Sequence, residues 1–224
     1  MLKKKRATPW KSGKVISICL RNGVYVLAQM VRDPYLVFFN HFNEENNWEG
    51  VTLKEEDILF CKAVTRQFLR YSPVAIIKEV NPLLDYELPK EWIYSHIGGH
   101  NITISVKGRE RQVVGFGQRC SLVLADKDSG QPEDNPLMGL FQAYIIPDIK
   151  EKDWDRVGQA ELMSIEVFPT LNERLYLCFL YGKNINPEQD ISLGKPLLDD
   201  YETYIDILTN SPEARHLYLG EYEE

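Results

Sequence analysis

WKSGKVISICLRNGVYVLAQMVRDPYLVFF, residues 10–39, is the stretch whose reading decides the fold. In VISICL (15–20), Ile16, Ile18 and Leu20 fall on one face and Val15, Ser17 and Cys19 on the other, the period of two of a β-strand. Asn22 and Gly23 then separate it from VYVLAQMV (24–31). Two residues that tolerate positive φ, set between β-branched and aromatic runs, predict a hairpin with a type I′ turn. Asp33 and Pro34 give the next turn signal and YLVFF (35–39) a third strand. The stretch predicts a three-strand meander.

Working outward, DILFCKAV (57–64), NITISV (101–106), RQVVGF (111–116) and SLVLA (121–125) read as further strands, with KGRE (107–110) as a tight turn. Short strands this dense predict a small curved sheet or an SH3-like, partly open barrel. Pro73, Pro82 and Pro89 argue against a long helix among them. DKDSGQPEDNP (126–136) has the composition of a turn or linker, which divides the chain into a β-meander or barrel region (1–125) and a following region (137–224). The second region is either a separate unit or part of the same domain. In it, LMGLFQAYII (137–146), ELMSIEVF (161–168) and RLYLCFLYG (174–182) read as buried or half-buried strands. Tyr201, Tyr204, Ile205 and Leu208, at i, i+3, i+4 and i+7, predict a helix capped by Asp199 or Asp200. The expected fold class is mainly β, with a mixed α+β C-terminal part.

The 224 residues carry 26 Lys plus Arg against 33 Asp plus Glu, a net charge of −7, which argues against a general nucleic-acid coat. The charge is uneven along the chain: residues 1–125 hold 18 basic and 12 acidic side chains (+6), and 126–224 hold 8 and 21 (−13). No apolar run approaches the roughly 20 residues of a membrane span. MLKKKRATPW is not followed by the apolar segment of a secretory signal, so cytoplasmic residence is expected. Cys19, Cys61, Cys120 and Cys178 each sit in an apolar stretch and read as reduced core thiols.

Motifs for chemistry are sparse. Neither the phosphate-cradling GxxxxGK[ST] nor the nucleophile elbow GxSxG occurs. Gly115, Phe116 and Gly117 form half of a dinucleotide fingerprint whose third glycine is replaced by Cys120, so they read as a strand ending in a turn. Arg119 beside Cys120 is the one feature that would lower a thiol pKa. His96 and His100 lie four apart in HIGGHN, but Gly98 and Gly99 disfavour the helix that would align them, and no third ligand is near. His41 and His216 belong to no motif, and MLKKKR reads as a solubilising tail. No catalytic residue, metal ligand or cofactor is expected. HFNEENNWEG, followed by Glu55, Glu56 and Asp57, reads as a solvated acidic loop or as a recognition loop. On the second reading Glu44, Glu45, Trp48, Glu49, Glu55 and Glu56 are candidate partner-binding residues, with Trp48 as an aromatic anchor facing a basic partner.

The opening also resembles that of the immunity protein 26 family, which is found beside toxin genes in bacterial polymorphic toxin systems. The resemblance rests on Trp10, Lys11 and Gly13, the run 15–20, Gly23 with Tyr25, Gln29, the strand ending at Phe38 and Phe39, and ILFCKAV (58–64). It implies a mainly β, non-enzymatic cytoplasmic protein that binds and neutralises a cognate toxin. An acidic inhibitor fits a basic toxin such as a nuclease, because opposite charge steers their encounter. Two other function classes stay open. One is a hydrolase whose site joins sequence-distant residues, with His96, His100 and scattered carboxylates as its material. The other is a structural or adaptor module that binds through a sheet edge.

Overall fold

The computed structural model describes residues 8–96, 101–116, 119–125 and 141–209. In chain order its strands are β1 (Val15–Cys19), β2 (Tyr25–Arg32), β3 (Tyr35–Asn43), β4 (Ile58–Val64), β5 (Val74–Ile77), β6 (Glu91–Ser95), β7 (Asn101–Val106), β8 (Arg109–Val114), β9 (Cys120–Leu124), β10 (Ala143–Ile146), β11 (Glu161–Leu162) and β12 (Ile165–Glu166). The helices are α1 (Phe68–Tyr71), α2 (Trp154–Val157), α3 (Thr170–Tyr181), α4 (Pro187–Leu193) and α5 (Glu202–Leu208). With 35% strand against 25% helix, the protein is mainly β, its sheets are open, and its C-terminal part is helical. Among the described residues no helix is long and apolar enough to cross a membrane.

The meander forms as the sequence predicts. β1, β2 and β3 pair antiparallel in succession, and β4 follows β3. Asn22 (φ 60°) and Gly23 (φ 71°) occupy the left-handed region between Arg21 and Val24, and the Val24 N–H donates back to the Arg21 carbonyl at 3.5 Å. This is the geometry that the Asn-Gly pair predicts. β5 and β12 complete the sheet, in the order β12-β4-β3-β2-β1-β5. β12 is the one parallel strand, pairing Ile165 with Ala63.

Both faces of this sheet are covered, so Leu36, Val37, Phe38 and Phe39 are all buried in succession. One face carries Ile16, Ile18, Ala28, Phe38 and Phe60 and packs on α3. There Phe179 meets Phe42 at 5.5 Å, and the Arg174 guanidinium lies 3.7 Å over the Phe60 ring. The opposite face carries Ser17, Leu27, Gln29 and Cys61 and is covered by the connection after β3 and by residues 80–86. Gln29 donates to the Leu83 carbonyl at 2.9 Å and accepts from its N–H at 2.7 Å.

RLYLCFLYG was expected to be a strand and is instead most of α3. Residues 170–178 are buried without a break. A helix covered on every side shows no amphipathic period, so its apolar run looks like that of a buried strand. The helix ends at Gly182, whose φ of 62° supplies the left-handed cap. Of the run 161–168, only β11 and β12 are strand; of 137–146, residues 143–146 are strand and 137–140 lie outside the described residues. The predicted helix after Asp199 is present as a 3-10 turn (Asp199–Tyr201) and α5. No side-chain cap opens α5, and Asp200 instead accepts the Tyr181 hydroxyl at 2.7 Å.

The contacts group the chain differently from a break at 126–136. That segment lies outside the described residues, and contacts sort the chain into two interleaved units: 1–86, 164–186 and 199–224 form one, and 87–163 with 187–198 the other. The chain passes from the second unit to the first between β11, which pairs parallel with β6, and β12, which pairs parallel with β4. Regrouped this way, the charges are 16 basic and 19 acidic (−3) in the first unit and 10 and 14 (−4) in the second. The steep asymmetry along the sequence vanishes because acidic residues from the end of the chain share a unit with the basic opening.

The second unit holds the sheet β10-β9-β6-β11 and a separate hairpin, β7-β8. Lys107 (φ 49°) and Gly108 (φ 71°) turn the hairpin, as KGRE predicts. Its core gathers Ile93, Leu122, Ile149, Val157 and Leu162, with Trp154 and Leu193 packed against it. Each such buried side chain contributes about 1.5–3 kcal/mol.

Candidate functional site

The connection from β3 to β4 combines buried anchors with exposed charge. Glu44, Glu45, Glu49, Glu55 and Glu56 are all exposed. Trp48, expected as an exposed anchor, is 2% exposed and packs inward. The correction has a local cause: the indole N–H donates to Asn46 Oδ1 at 2.9 Å, and the same oxygen accepts the buried Ser17 hydroxyl at 2.6 Å. Asn46 therefore ties the connection to β1. The Trp48 carbonyl accepts from the Val51 N–H at 3.2 Å across a turn that places Gly50 at φ +77°, a conformation that favours glycine.

Two further asparagines fold the acidic segment on itself. Asn43 Oδ1 accepts from the Glu45 N–H at 2.9 Å, and Asn47 Oδ1 from the Glu49 N–H at 3.1 Å. Asn43 Nδ2 also donates to the Asn47 carbonyl at 2.8 Å. At the far end Asp57 accepts from the Lys54 N–H at 3.1 Å and from His41 Nε2 at 3.0 Å. Short Asn and Asp side chains replace backbone pairing here, as they do in Asx turns. The result is a connection whose backbone is held from within while its five glutamates point to water. Glu56 lies 3.4 Å from Lys54, but both are well exposed, so the pair is worth little.

Among the described residues none of the other clusters presents an open reactive centre. His96 Nε2 lies 2.8 Å from Ser121 Oγ, but that hydroxyl donates to the Pro147 carbonyl at 2.6 Å, so the imidazole N–H donates to the serine. A general base must accept that proton. Ser121 is also fully buried. Burial, with the Arg119 charge second, holds the His96 pKa below its ordinary value. His100, its sequence partner, and His216 lie outside the described residues. Arg119 does not activate Cys120: burial dominates and pushes that thiol up to about 11. None of the four cysteines forms a disulfide, and among the described residues no His, Cys, Asp and Glu side chains group to hold a metal.

A buried ionic cluster lies under the first sheet. Arg174 donates to the Ile185 carbonyl (3.0 Å), Asn184 Oδ1 (3.0 Å) and Glu166 Oε1 (3.4 Å). Lys62 donates to Ser164 Oγ at 3.0 Å and lies 3.9 Å from Glu166. Arg21 grips the buried Glu173 with two bonds of 2.9 and 3.1 Å. With its donors engaged and Lys62, Glu166, Glu173 and Arg174 buried, this cluster orients α3 on the sheet. A polar cleft of about 330 Å³ at the end of β1 includes Cys19, Arg70 and Ser72, whose polar atoms are partnered internally where they are buried.

The sequence located the acidic connection and its glutamates but missed Asn46, the residue that organises it. The three asparagines in HFNEENNWEG were the available signal. Residues 4–118, just over half of the chain, match a family described as a domain of unknown function (DUF8309). No curated protein and no solved structure matches.

Proposed function

The chain belongs to the DUF8309 family, a domain of unknown function, and we propose that it is an immunity protein that neutralises a cognate bacterial toxin by stoichiometric binding. The observation that carries this reading is the braced acidic connection between β3 and β4. Glu44, Glu45, Glu49, Glu55 and Glu56 are presented on a backbone already fixed by Asn43, Asn46, Asn47 and Asp57. A surface ordered before encounter loses little entropy on binding, and its charge accelerates association with a basic partner. A basic nuclease is the toxin class that fits. The resemblance of residues 10–39 to the immunity protein 26 family supports the same role, which uses no cofactor and no catalytic residue and belongs in the cytoplasm.

The test is co-expression with the toxin domain encoded by the adjacent gene, together with binding kinetics across a salt series. Reversing the five glutamates to lysine is expected to abolish protection and to slow association about 10–100-fold at low salt. Undiminished protection with an unchanged salt slope refutes the assignment of this surface.

A further inference from the structure

The cleft at the end of β1 holds a cation with no internal partner. Ser17 and Cys19 of β1 line it, with the Ala75 of β5 that pairs with Ser17, so these side chains share one face of the sheet. Asn46 from the connection after β3 and Arg70 of α1 also line it, and every lining residue belongs to the first unit. Several polar atoms here are already committed. The Ser17 hydroxyl donates to Asn46 Oδ1 at 2.6 Å and the Cys19 thiol to the Leu20 carbonyl at 3.4 Å, while Ser72 exchanges hydrogen bonds with Asn172. Tyr25 is bonded to Cys19. Left over are the nitrogen donors of Asn46 and Arg70. Asn46 Oδ1 accepts twice, yet its Nδ2 donates to no described group, and the Arg70 guanidinium has no carboxylate, carbonyl or ring partner among the described residues.

Arg70 is the one lining residue charged at neutral pH, and no lining residue is acidic. Glu45, beside Asn46 in the chain, is exposed and does not line the cleft. A guanidinium is always charged, and its parallel N–H bonds match the two oxygens of a carboxylate. One positive charge balances one carboxylate, whereas a phosphate dianion would leave excess negative charge near the glutamates of the connection. Half-buried Pro73 and Val74 and exposed Ala75 supply apolar surface for a short hydrocarbon body. The volume, about 330 Å³, is at the small end of ligand sites.

We propose that this cleft binds a small monocarboxylate, an organic acid with a short apolar body, through Arg70 and the side-chain amide of Asn46. The carboxylate takes the two donors that folding leaves unused, and the hydrocarbon lies against Pro73, Val74 and Ala75. Occupation of the cleft needs no toxin, so it is tested on the isolated chain, separately from the role of the exposed glutamates.

The probe is 3-methylbutanoate, titrated into the full chain at neutral pH while NMR follows the Asn46 side-chain amide and the Arg70 Nε–H. The comparison ligands are 3-methylbutanamide, which has the same shape without the charge, and inorganic phosphate. Expected are saturable shifts of both resonances with a Kd of about 0.1–1 mM, and binding about tenfold or more weaker for the amide and for phosphate. Cys19 lines the same cleft, so the acid at ten times its Kd is expected to slow Cys19 alkylation about tenfold, in proportion to the sites left empty. Arg70→Gln, at an exposed position with no partner to lose, is expected to keep the parent's urea midpoint and to weaken binding about tenfold or more, with Arg70→Lys falling between. Absence of saturable shifts, equal affinity for the amide or for phosphate, or unchanged binding by Arg70→Gln overturns the proposal. So do shifts confined to Arg70 with Cys19 alkylation unchanged, which would show pairing at the surface and an empty cleft.

Discussion

Asn46→Ala tests whether one amide oxygen organises the acidic connection. The substitution removes the acceptor shared by the Ser17 hydroxyl at 2.6 Å and the Trp48 indole at 2.9 Å. Two net hydrogen bonds are worth about 1–3 kcal/mol together, and a donor left buried without a partner costs about 1–3 kcal/mol. Ser17 is 1% and Trp48 2% exposed, so neither reaches water while the connection stays in place. The serine hydroxyl rotates toward other acceptors; the indole, fixed by its packing, does not. The expected loss is therefore about 2–4 kcal/mol, a large share of the roughly 5–15 kcal/mol that holds a typical domain. Urea denaturation gives the loss, and the Trp48 indole N–H resonance gives its local origin, through faster exchange with water. Asn46→Asp keeps an oxygen for both donors at an exposed position and is expected to remain within about 1 kcal/mol of the parent chain. If Asn46→Ala stays within about 0.5 kcal/mol, with an unchanged indole resonance, the bracing argument is wrong. In the proposed toxin complex, Asn46→Ala should slow binding while Asn46→Asp should not, since the latter adds to the acidic surface.

Arg174→Met leaves Glu166 buried with Lys62, 3.9 Å away, as its paired cation among the described residues, and its expected cost in urea is about 3–5 kcal/mol, partly recovered by adding Glu166→Gln; a loss under about 1 kcal/mol would show that the cluster does not hold α3. His96 is held below its ordinary pKa by burial and Arg119, so the unfolded chain binds the proton more readily. This contribution to stability is full above the unfolded value of about 6.5 and falls as pH drops through it. An NMR titration of the His96 ring should find a midpoint below that value, and a midpoint at or above it contradicts the assignment. In the folded protein Cys19, the only cysteine not fully buried, should be alkylated first, while Cys120, with its pKa near 11, stays unmodified at pH 8 until urea is added. Equal labelling of the two by mass spectrometry would refute the placement of Cys120.

Much of the meander and of the β7-β8 hairpin is legible in residues adjacent in the chain. Asn22-Gly23 and Lys107-Gly108 each specify a left-handed turn, because the needed φ belongs to the residues themselves. Alternation in VISIC identifies a strand even though both of its faces are covered. β5 was not foreseen, because VAII is four residues long between proline-rich turns. α3 was misread although Pro169 stands before it and Gly182 after it, a spacing that marks a helix. Its enclosing contacts erase the polar stripe that a sequence period requires. At the acidic connection, the exposure of the glutamates could be expected from charge alone, but the inward turn of Trp48 depends on Asn46 and on a serine from another strand.

What the sequence by itself determined is the meander, its turns, the mainly β class, the acidic connection and the lack of familiar catalytic motifs. These depend on backbone preferences and side-chain types within a few residues of one another. Only the tertiary structure decided which apolar runs become helix, which aromatic is buried, how the chain divides, and where its charge lies. Two parallel pairings, β11 with β6 and β12 with β4, join segments about seventy to a hundred residues apart and interleave the units. No local pattern encodes them, because the pairing groups are backbone amides and carbonyls that every residue carries. For the same reason the charge imbalance along the chain does not survive folding as an acidic half and a basic half.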